Sequence, residues 1–245
     1  MAGKGVLIVV PARGGSKGLP RKNARNLGDI PLLGWTAHAI RAAGLDEAVC
    51  LLSTDDPEIA GIGRGVGLDV PFLRPPELAT DGASAESVAL HALDWLAVER
   101  SIHPSAVMLL QPTSPFRGPE CIHDAVEIMS GHIVPGVLGV KPIQRSLRTL
   151  FHADENMRLE ALDPNAELVV RRQDPRPIFT PNGALYLVPV QELRSSRSFF
   201  PQHCRAIVMD QISSLDIDDE HDWAIAEAVA AAGLSWRGRL PGAPV

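Results

Sequence analysis

Aromatic side chains make up only 4% of this 245-residue sequence, with a single tyrosine, so its core has to be assembled from Ala, Val, Leu and Ile. Cysteine is scarce too. Cys50, Cys121 and Cys204 are odd in number and far apart, which argues against a disulfide framework and leaves no paired spacing for zinc or redox chemistry. Reduced thiols and a cytoplasmic protein are the expectation. Positive charge is in deficit, with 23 Lys plus Arg against 29 Asp plus Glu and a formal charge of −6, the reverse of what a general nucleic-acid binder shows. No nucleic-acid partner is expected, and any phosphate chemistry has to sit in a local basic pocket. Long apolar runs are also missing. Val6 to Val10 near the start is too short for a signal-peptide core or a bilayer span, so no membrane partner is expected. What remains, 45% hydrophobic and 21% charged, suits one soluble globular domain with a small appendage and excludes disorder and fibrous repeats.

Short apolar runs alternate with longer helical patterns. Val6 to Val10, Ala48 to Ser53 and Ala106 to Leu110 read as strands buried on both faces of a parallel sheet. Leu32 to Ala43, with Gly44 as its C-cap, Glu86 to Val98, with Ser84 as its N-cap, and Cys121 to Met129 read as helices. This order predicts an α/β fold with a Rossmann-like, doubly wound, mostly parallel sheet whose ligands gather at the carboxyl ends of the strands. After a strand at Val134 to Val140 the pattern loosens into an excursion of hairpin and loop, in which Thr149 to Phe151 and Leu168 to Val170 still look strand-forming. Strands return at Ala184 to Val188 and Ile207 to Met209, and Glu220 to Ala232 closes as a helix. The expected organisation is a core in two pieces, residues 1–141 and 182–233, interrupted by residues 142–181 and followed by a loose tail at 234–245.

The first strand runs into Pro11-Ala-Arg-Gly-Gly-Ser-Lys-Gly-Leu-Pro-Arg-Lys-Asn23. Its glycines let the backbone bend around an anion, and Arg13, Lys17, Arg21 and Lys22 bring cations into one short segment, as a triphosphate-binding loop requires. It fits neither the P-loop nor the dinucleotide glycine pattern. Asp216 and Asp218, at i and i+2 in an extended stretch, point to one side, where their oxygens suit Mg²⁺. Other signals are discounted. Gly61 to Gly67 reads as a weak helix closing in a glycine cap, the eight histidines lack ligand spacing, and Trp35, Trp95 and Trp223 read as core.

The glycine-rich segment closely resembles the N-terminal signature of the acylneuraminate cytidylyltransferases, the CMP-sialic acid synthetases. Matching motifs follow in order: Ser53-Thr-Asp55, Arg74 to Asp81, Gln111-Pro-Thr-Ser-Pro-Phe-Arg117, Pro181-Asn-Gly-Ala-Leu-Tyr186 and Ser214-Leu-Asp-Ile-Asp218. The resemblance implies a homodimer that transfers CMP from CTP to a nine-carbon 2-keto sugar acid and releases pyrophosphate. Carried over by motif, Arg13, Ser16, Lys17, Lys22 and Asn23 line the nucleotide site, and Arg74 with Thr80 to Ser84, including Asp81 and Ser84, holds the cytidine. Gln111, Arg148, Arg172 and Asn182 serve the sugar, while Ser114 and Arg117 support the loop. Lys22, Asp216 and Asp218 carry the chemistry, with Mg²⁺ on the two acids. Residues 142–181 correspond to the family's dimerisation element. Thr180 departs from the arginine that sialic-acid enzymes often place before Pro181, which opens the sugar to legionaminic, pseudaminic or another nonulosonic acid, and transfer to 3-deoxy-manno-octulosonic acid is a further alternative. A non-catalytic nucleotide- or sugar-binding homologue is the remaining alternative.

Overall fold

Along the first strand, successive side chains are buried in opposite directions: Val6, Ile8 and Val10 join one apolar cluster, Leu7 and Val9 another. That is the consequence of a two-residue side-chain period in a sheet covered on both faces. The computed structural model describes residues 5–15, 18–143, 149–164 and 177–236. The chain forms two compact units, Met1–Val140 with Pro181–Val245, and Lys141–Thr180.

In chain order the elements are β1 (Val6–Pro11), a small hairpin of β2 (Asn26–Leu27) and β3 (Ile30–Pro31), α1 (Leu32–Ala42), β4 (Val49–Ser53), α2 (Pro57–Gly65), α3 (Ala85–Arg100), β5 (Ala106–Leu109) and α4 (Pro119–Gly131). They continue with β6 (Val137–Ile143), β7 (Phe151–Ala153), β8 (Leu159–Ala161), β9 (Ile178–Pro189), α5 (Val190–Ser196), β10 (Arg205–Val208) and α6 (Glu220–Ala231). The six-stranded sheet has the order β10-β6-β9-β5-β1-β4. β1 pairs in parallel with both β4 and β5, β10 pairs in parallel with β6, and β9 runs antiparallel to β5. The fold is therefore the α/β, doubly wound, mostly parallel one. Buried residues of α1, α2, α4 and α6 pack on one face of the sheet, and those of α3 and α5 on the other. From β1 the chain moves outward to β4 and then returns to β5 on the opposite flank. The carboxyl ends of β1 and β5 thus form the switch point where such sheets bind ligands.

Local chemistry sets the helix boundaries. Asp56 caps α2, accepting from the amides of Glu58 (2.8 Å) and Ile59 (3.2 Å), and Pro57 follows at the first helical position. The Ser84 hydroxyl accepts from the Ser87 amide to start α3. Asp219 and Asp222 form a reciprocal capping box at α6.

The smaller unit contains the antiparallel pair β7–β8, with Phe151 opposite Ala161. The Asp154 carboxylate organises the turn by accepting from the amides of Asn156 and Arg158, at 2.8 and 2.9 Å. The predicted strand at Thr149 to Phe151 begins only at Phe151, and Leu168 to Val170 lie outside the described residues. β9 starts at Ile178, well before the predicted Ala184, because its first residues alternate between half-buried and exposed and carry no apolar run. Helix α5 was not predicted, since Leu193 is its one buried residue.

The expectation of a loose tail from residue 234 is corrected at its beginning. Ser235 is 2% and Trp236 6% exposed. Trp236 packs edge-on against Trp35, and its indole donates to the Pro115 carbonyl at 3.3 Å. Trp35 in turn meets Phe116 edge-on and donates to the Leu27 carbonyl at 3.0 Å. Much of the scarce aromatic content is spent beneath the Gln111–Arg117 loop. Trp236→Ala is expected to cost about 3–5 kcal/mol in urea unfolding, the range for losing a buried Trp. A change near zero would mean that this segment is not docked.

Candidate active site

At the switch point the loop leaving β1 is held by polar contacts within itself and to the segment after β4. The Gly14 amide donates to Asp55 at 3.1 Å, and the buried Asn23 amide donates to the Arg13 carbonyl at 3.2 Å. Arg21, in a left-handed conformation (φ 56°), pairs with Asp56 and Glu58 beyond β4. Further along the loop lies Gly18, where a Cβ would overlap the Asp218 carbonyl. Glycine is thus required for the loop to lie against the segment that carries the two acids.

These segments enclose a cleft of about 400 Å³, lined among others by Arg13, Lys22, Asn23, Arg74, Gln111, Thr113, Asp216 and Asp218. Arg13 pairs with Asp81 at 2.8 Å. Arg74 is 6% exposed, and its guanidinium donates to the Ser53 hydroxyl (3.0 Å), the Ser53 carbonyl and the Leu78 carbonyl (3.4 Å). Burial lowers its pKa to about 10, which leaves it cationic at neutral pH. Its first effect is to fasten the 74–84 segment to the end of β4.

Gln111 follows β5 and opens the loop that ends at Arg117. Arg117 is fully buried and donates to the carbonyls of Gln111 (3.3 Å) and Ala184 (2.7 Å) and to the Thr36 hydroxyl (3.0 Å). It joins the loop, β9 and α1 from beneath the cleft. Burial lowers its pKa to about 10 as well. Thr113 in the same loop holds the acidic segment twice, accepting from the Ile217 amide at 2.8 Å and bonding through its side chain to Asp216. Sequence reasoning had assigned Thr113 no role, although it lies inside a recognised motif.

Asp216 and Asp218 both line the cleft, while Ile217 between them is fully buried in the core. Burial is the main cause that raises the Asp216 pKa, with Asp218 and Asp222 adding to it and Thr113 and Lys22 opposing. Its Oδ1 is buried and has no hydrogen-bond partner. Gly183, at φ 79°, passes so close that a Cβ would stand 3.0 Å from Asp216 Oδ2. Asp218 is largely exposed. Lys22 reaches across the cleft, donating to the Ile217 carbonyl at 2.6 Å and pairing with Asp218 Oδ1 at 3.4 Å. Two carboxylates, one with an unpartnered buried oxygen, form the hard-oxygen donor set that suits a divalent cation such as Mg²⁺.

Two further motif residues have structural contacts of their own. Asn182 is 4% exposed, its amide donates to Ser214 Oγ (2.9 Å) and faces Met209 Sδ (3.1 Å), and its carbonyl oxygen accepts from the Ala184 amide. It steadies the approach to Asp216 from inside. Ser84 serves as the cap of α3. Ser16, Lys17, Arg148 and Arg172 lie outside the described residues.

The raised pKa of Asp216 has a sign that can be tested. A carboxyl whose folded pKa exceeds its unfolded value folds more favourably when protonated, so the penalty appears as pH rises through the unfolded value and is complete above the folded one. Asp216→Asn is therefore expected to raise the melting temperature at pH 7 by a few degrees, with the gain fading below the ordinary carboxylate range. A lower melting temperature at pH 7 would contradict this electrostatic picture.

The architecture and motifs have counterparts among known proteins. The family model described as cytidylyltransferase matches residues 7–214. A CMP-N,N'-diacetyllegionaminic acid synthase of Legionella pneumophila is 36% identical over 228 residues, covering 91% of this chain and 94% of its own. An N-acylneuraminate cytidylyltransferase of Escherichia coli is 34% identical over 222 residues, covering 90% of this chain and 51% of its own length. The solved structure of a CMP:2-keto-3-deoxy-manno-octonic acid synthetase complexed with CTP shares the fold, with a TM-score of 0.67 at 14% identity and coverage of 93% of this chain and 99% of that one. A switch-point cleft with opposed basic and acidic walls, a family model spanning most of the sequence and relatives of this identity lead to one conclusion: the chain belongs to the cytidylyltransferase family.

Proposed function

We propose that the protein transfers CMP from CTP to the anomeric hydroxyl of a nine-carbon 2-keto sugar acid, releasing pyrophosphate, and that the acceptor is of the legionaminic-acid type. The observation that carries this reading is the convergence of Lys22, Asp216 and Asp218 on one cleft beside Arg13 and Gln111. The acceptor rests on two weaker supports: the 36% identity to the legionaminic acid synthase and Thr180 in place of an arginine before Pro181.

In this reading the sugar hydroxyl gives up its proton to the Asp218 carboxylate as its oxygen bonds to the α-phosphorus, the bond from that phosphorus to the bridging oxygen breaks, and pyrophosphate leaves with the electron pair. Lys22 and Arg13 supply positive charge along the triphosphate, where negative charge accumulates on the leaving group. Arg74 keeps the 74–84 segment against the nucleotide side, and Gln111 presents its side-chain amide toward the acceptor. Mg²⁺ held by Asp216 and Asp218 would polarise the phosphate and neutralise developing charge. Thr113, Asn182 and Arg117 keep those two acids and the Gln111 loop in place, so less reorganisation is needed as charge develops. Arg148 and Arg172 remain as proposed partners of the sugar carboxylate, which a guanidinium binds through two parallel hydrogen bonds.

The same proposal includes a homodimer formed through the Lys141–Thr180 unit. Its hairpin exposes Phe151 and Leu159 at 52% and 63%, an apolar surface suited to burial against a second copy. A monomeric mass in solution at assay concentration would remove this part.

Pyrophosphate release should be followed with CTP and Mg²⁺ against legionaminic, N-acetylneuraminic, pseudaminic and 3-deoxy-manno-octulosonic acids. The expected result is strong turnover with the legionaminic derivative, at least ten-fold above the others, with CTP preferred over UTP, ATP and GTP. Turnover confined to another of the four would correct the acceptor. Silence with all four would overturn the reaction.

A further inference from the structure

We propose that Lys22 is a displaceable stand-in for the divalent cation: in the nucleotide-free protein its ammonium group holds the Asp218 end of the acidic pair, and metal and ammonium exclude one another there. The inference rests on the reading of Asp216 and Asp218 as metal ligands and adds that Lys22 has two successive partners.

Lys22 opens a single 3₁₀ turn, Lys22–Ala24, immediately after the left-handed Arg21. That turn directs the side chain across the cleft rather than out to solvent, and only 14% of it is exposed. Its Nζ lies 2.6 Å from the Ile217 carbonyl and 3.4 Å from Asp218 Oδ1, and its charge also reaches Asp216. A carbonyl and a carboxylate around one compact cation make the kind of oxygen environment that a hard metal ion also selects. The match is incomplete. The ammonium carries one positive charge against two carboxylates, and Asp216 Oδ1, buried in the same cleft, has no hydrogen-bond partner. A divalent ion balances both charges, and a second cation on the same carboxylate is repelled by the first.

The exchange gives the two substrate-side events a common element. Metal arriving alone has to expel the ammonium from Asp218, which weakens its binding. Once expelled, Lys22, on a flexible four-carbon stem, is available to phosphate oxygens. Nucleotide phosphates that draw Lys22 away favour the metal, and by linkage the metal favours the nucleotide to the same degree.

The test is Mn²⁺ binding to the nucleotide-free protein, followed by electron paramagnetic resonance, for the wild type, Lys22→Met, Lys22→Gln and Lys22→Arg. The two neutral variants are expected to bind Mn²⁺ roughly ten-fold more tightly than the wild type, within the usual range of such couplings. Lys22→Arg keeps the charge and is expected to stay as weak as the wild type, which separates displacement of charge from a packing effect. Two neutral variants guard against one that fails to fold. Equal or weaker Mn²⁺ binding in the neutral variants overturns the inference. The metal reading is judged separately. A protein-dependent change in the Mn²⁺–CTP spectrum that disappears in the Asp216→Asn/Asp218→Asn double variant sustains it, and a change that survives in that variant overturns it and the inference with it.

Discussion

The contact between the loop after β1 and the Ser214–Asp218 segment is the constraint on which the site depends. Lys22 and Ile217 are 195 residues apart in sequence, yet the Lys22 ammonium donates to the Ile217 carbonyl and a Cβ at Gly18 would overlap the carbonyl of Asp218. The loop can reach this position because the sheet order returns the chain from β4, past β1, to β5, leaving the ends of the two central strands open to each other. It stays there because Arg21 and Gly14 are tied to Asp55, Asp56 and Glu58 on the opposite side. One backbone path thus fixes both the anion-facing and the cation-facing walls.

Holding acids in a partly dry cleft requires buried polar support, and it comes from residues that have no expected contact with substrate. Thr113 bonds to Asp216, Asn182 bonds to Ser214 just ahead of it, and Arg117 binds the Gln111 and Ala184 carbonyls from below. Unpaired buried groups of this kind are costly, and most of these are paired. Among the described residues the exceptions are Asp216 Oδ1, Asn23 Oδ1, Ser114 Oγ, Arg117 Nε and His91 Nδ1, and of these Asp216 and Asn23 line the cleft. Stability is given up where ligand atoms are expected to arrive, the pattern anticipated for a site organised for charge that develops during reaction.

The core strands were legible because Val6 to Val10, Ala48 to Ser53 and Ala106 to Leu110 are short, nearly continuous apolar runs, as strands of a doubly covered sheet are. The helix starts at Ser84 and the Gly44 stop were legible from capping chemistry. The early part of β9 and helix α5 were hidden, since neither carries a sustained apolar period, and Trp236 was hidden because its burial depends on a partner, Trp35, some two hundred positions away in the chain. At the site, the alternation that sends Ile217 inward and the two acids outward follows from an extended backbone. The internal role of Asn182 does not, because a motif records that a residue is needed without saying whether it faces a ligand or its own chain.

The central claim, that nucleotide enters the cleft between the Lys22 loop and the acidic segment, is tested most directly by hydrogen–deuterium exchange with and without CTP and Mg²⁺. The account predicts slowed exchange around Lys22, in the Gln111–Arg117 loop and at Ser214–Asp219, with little change along α5. Protection absent from those three segments, or concentrated at the groove lined by His91, Trp95 and Arg197, would contradict it.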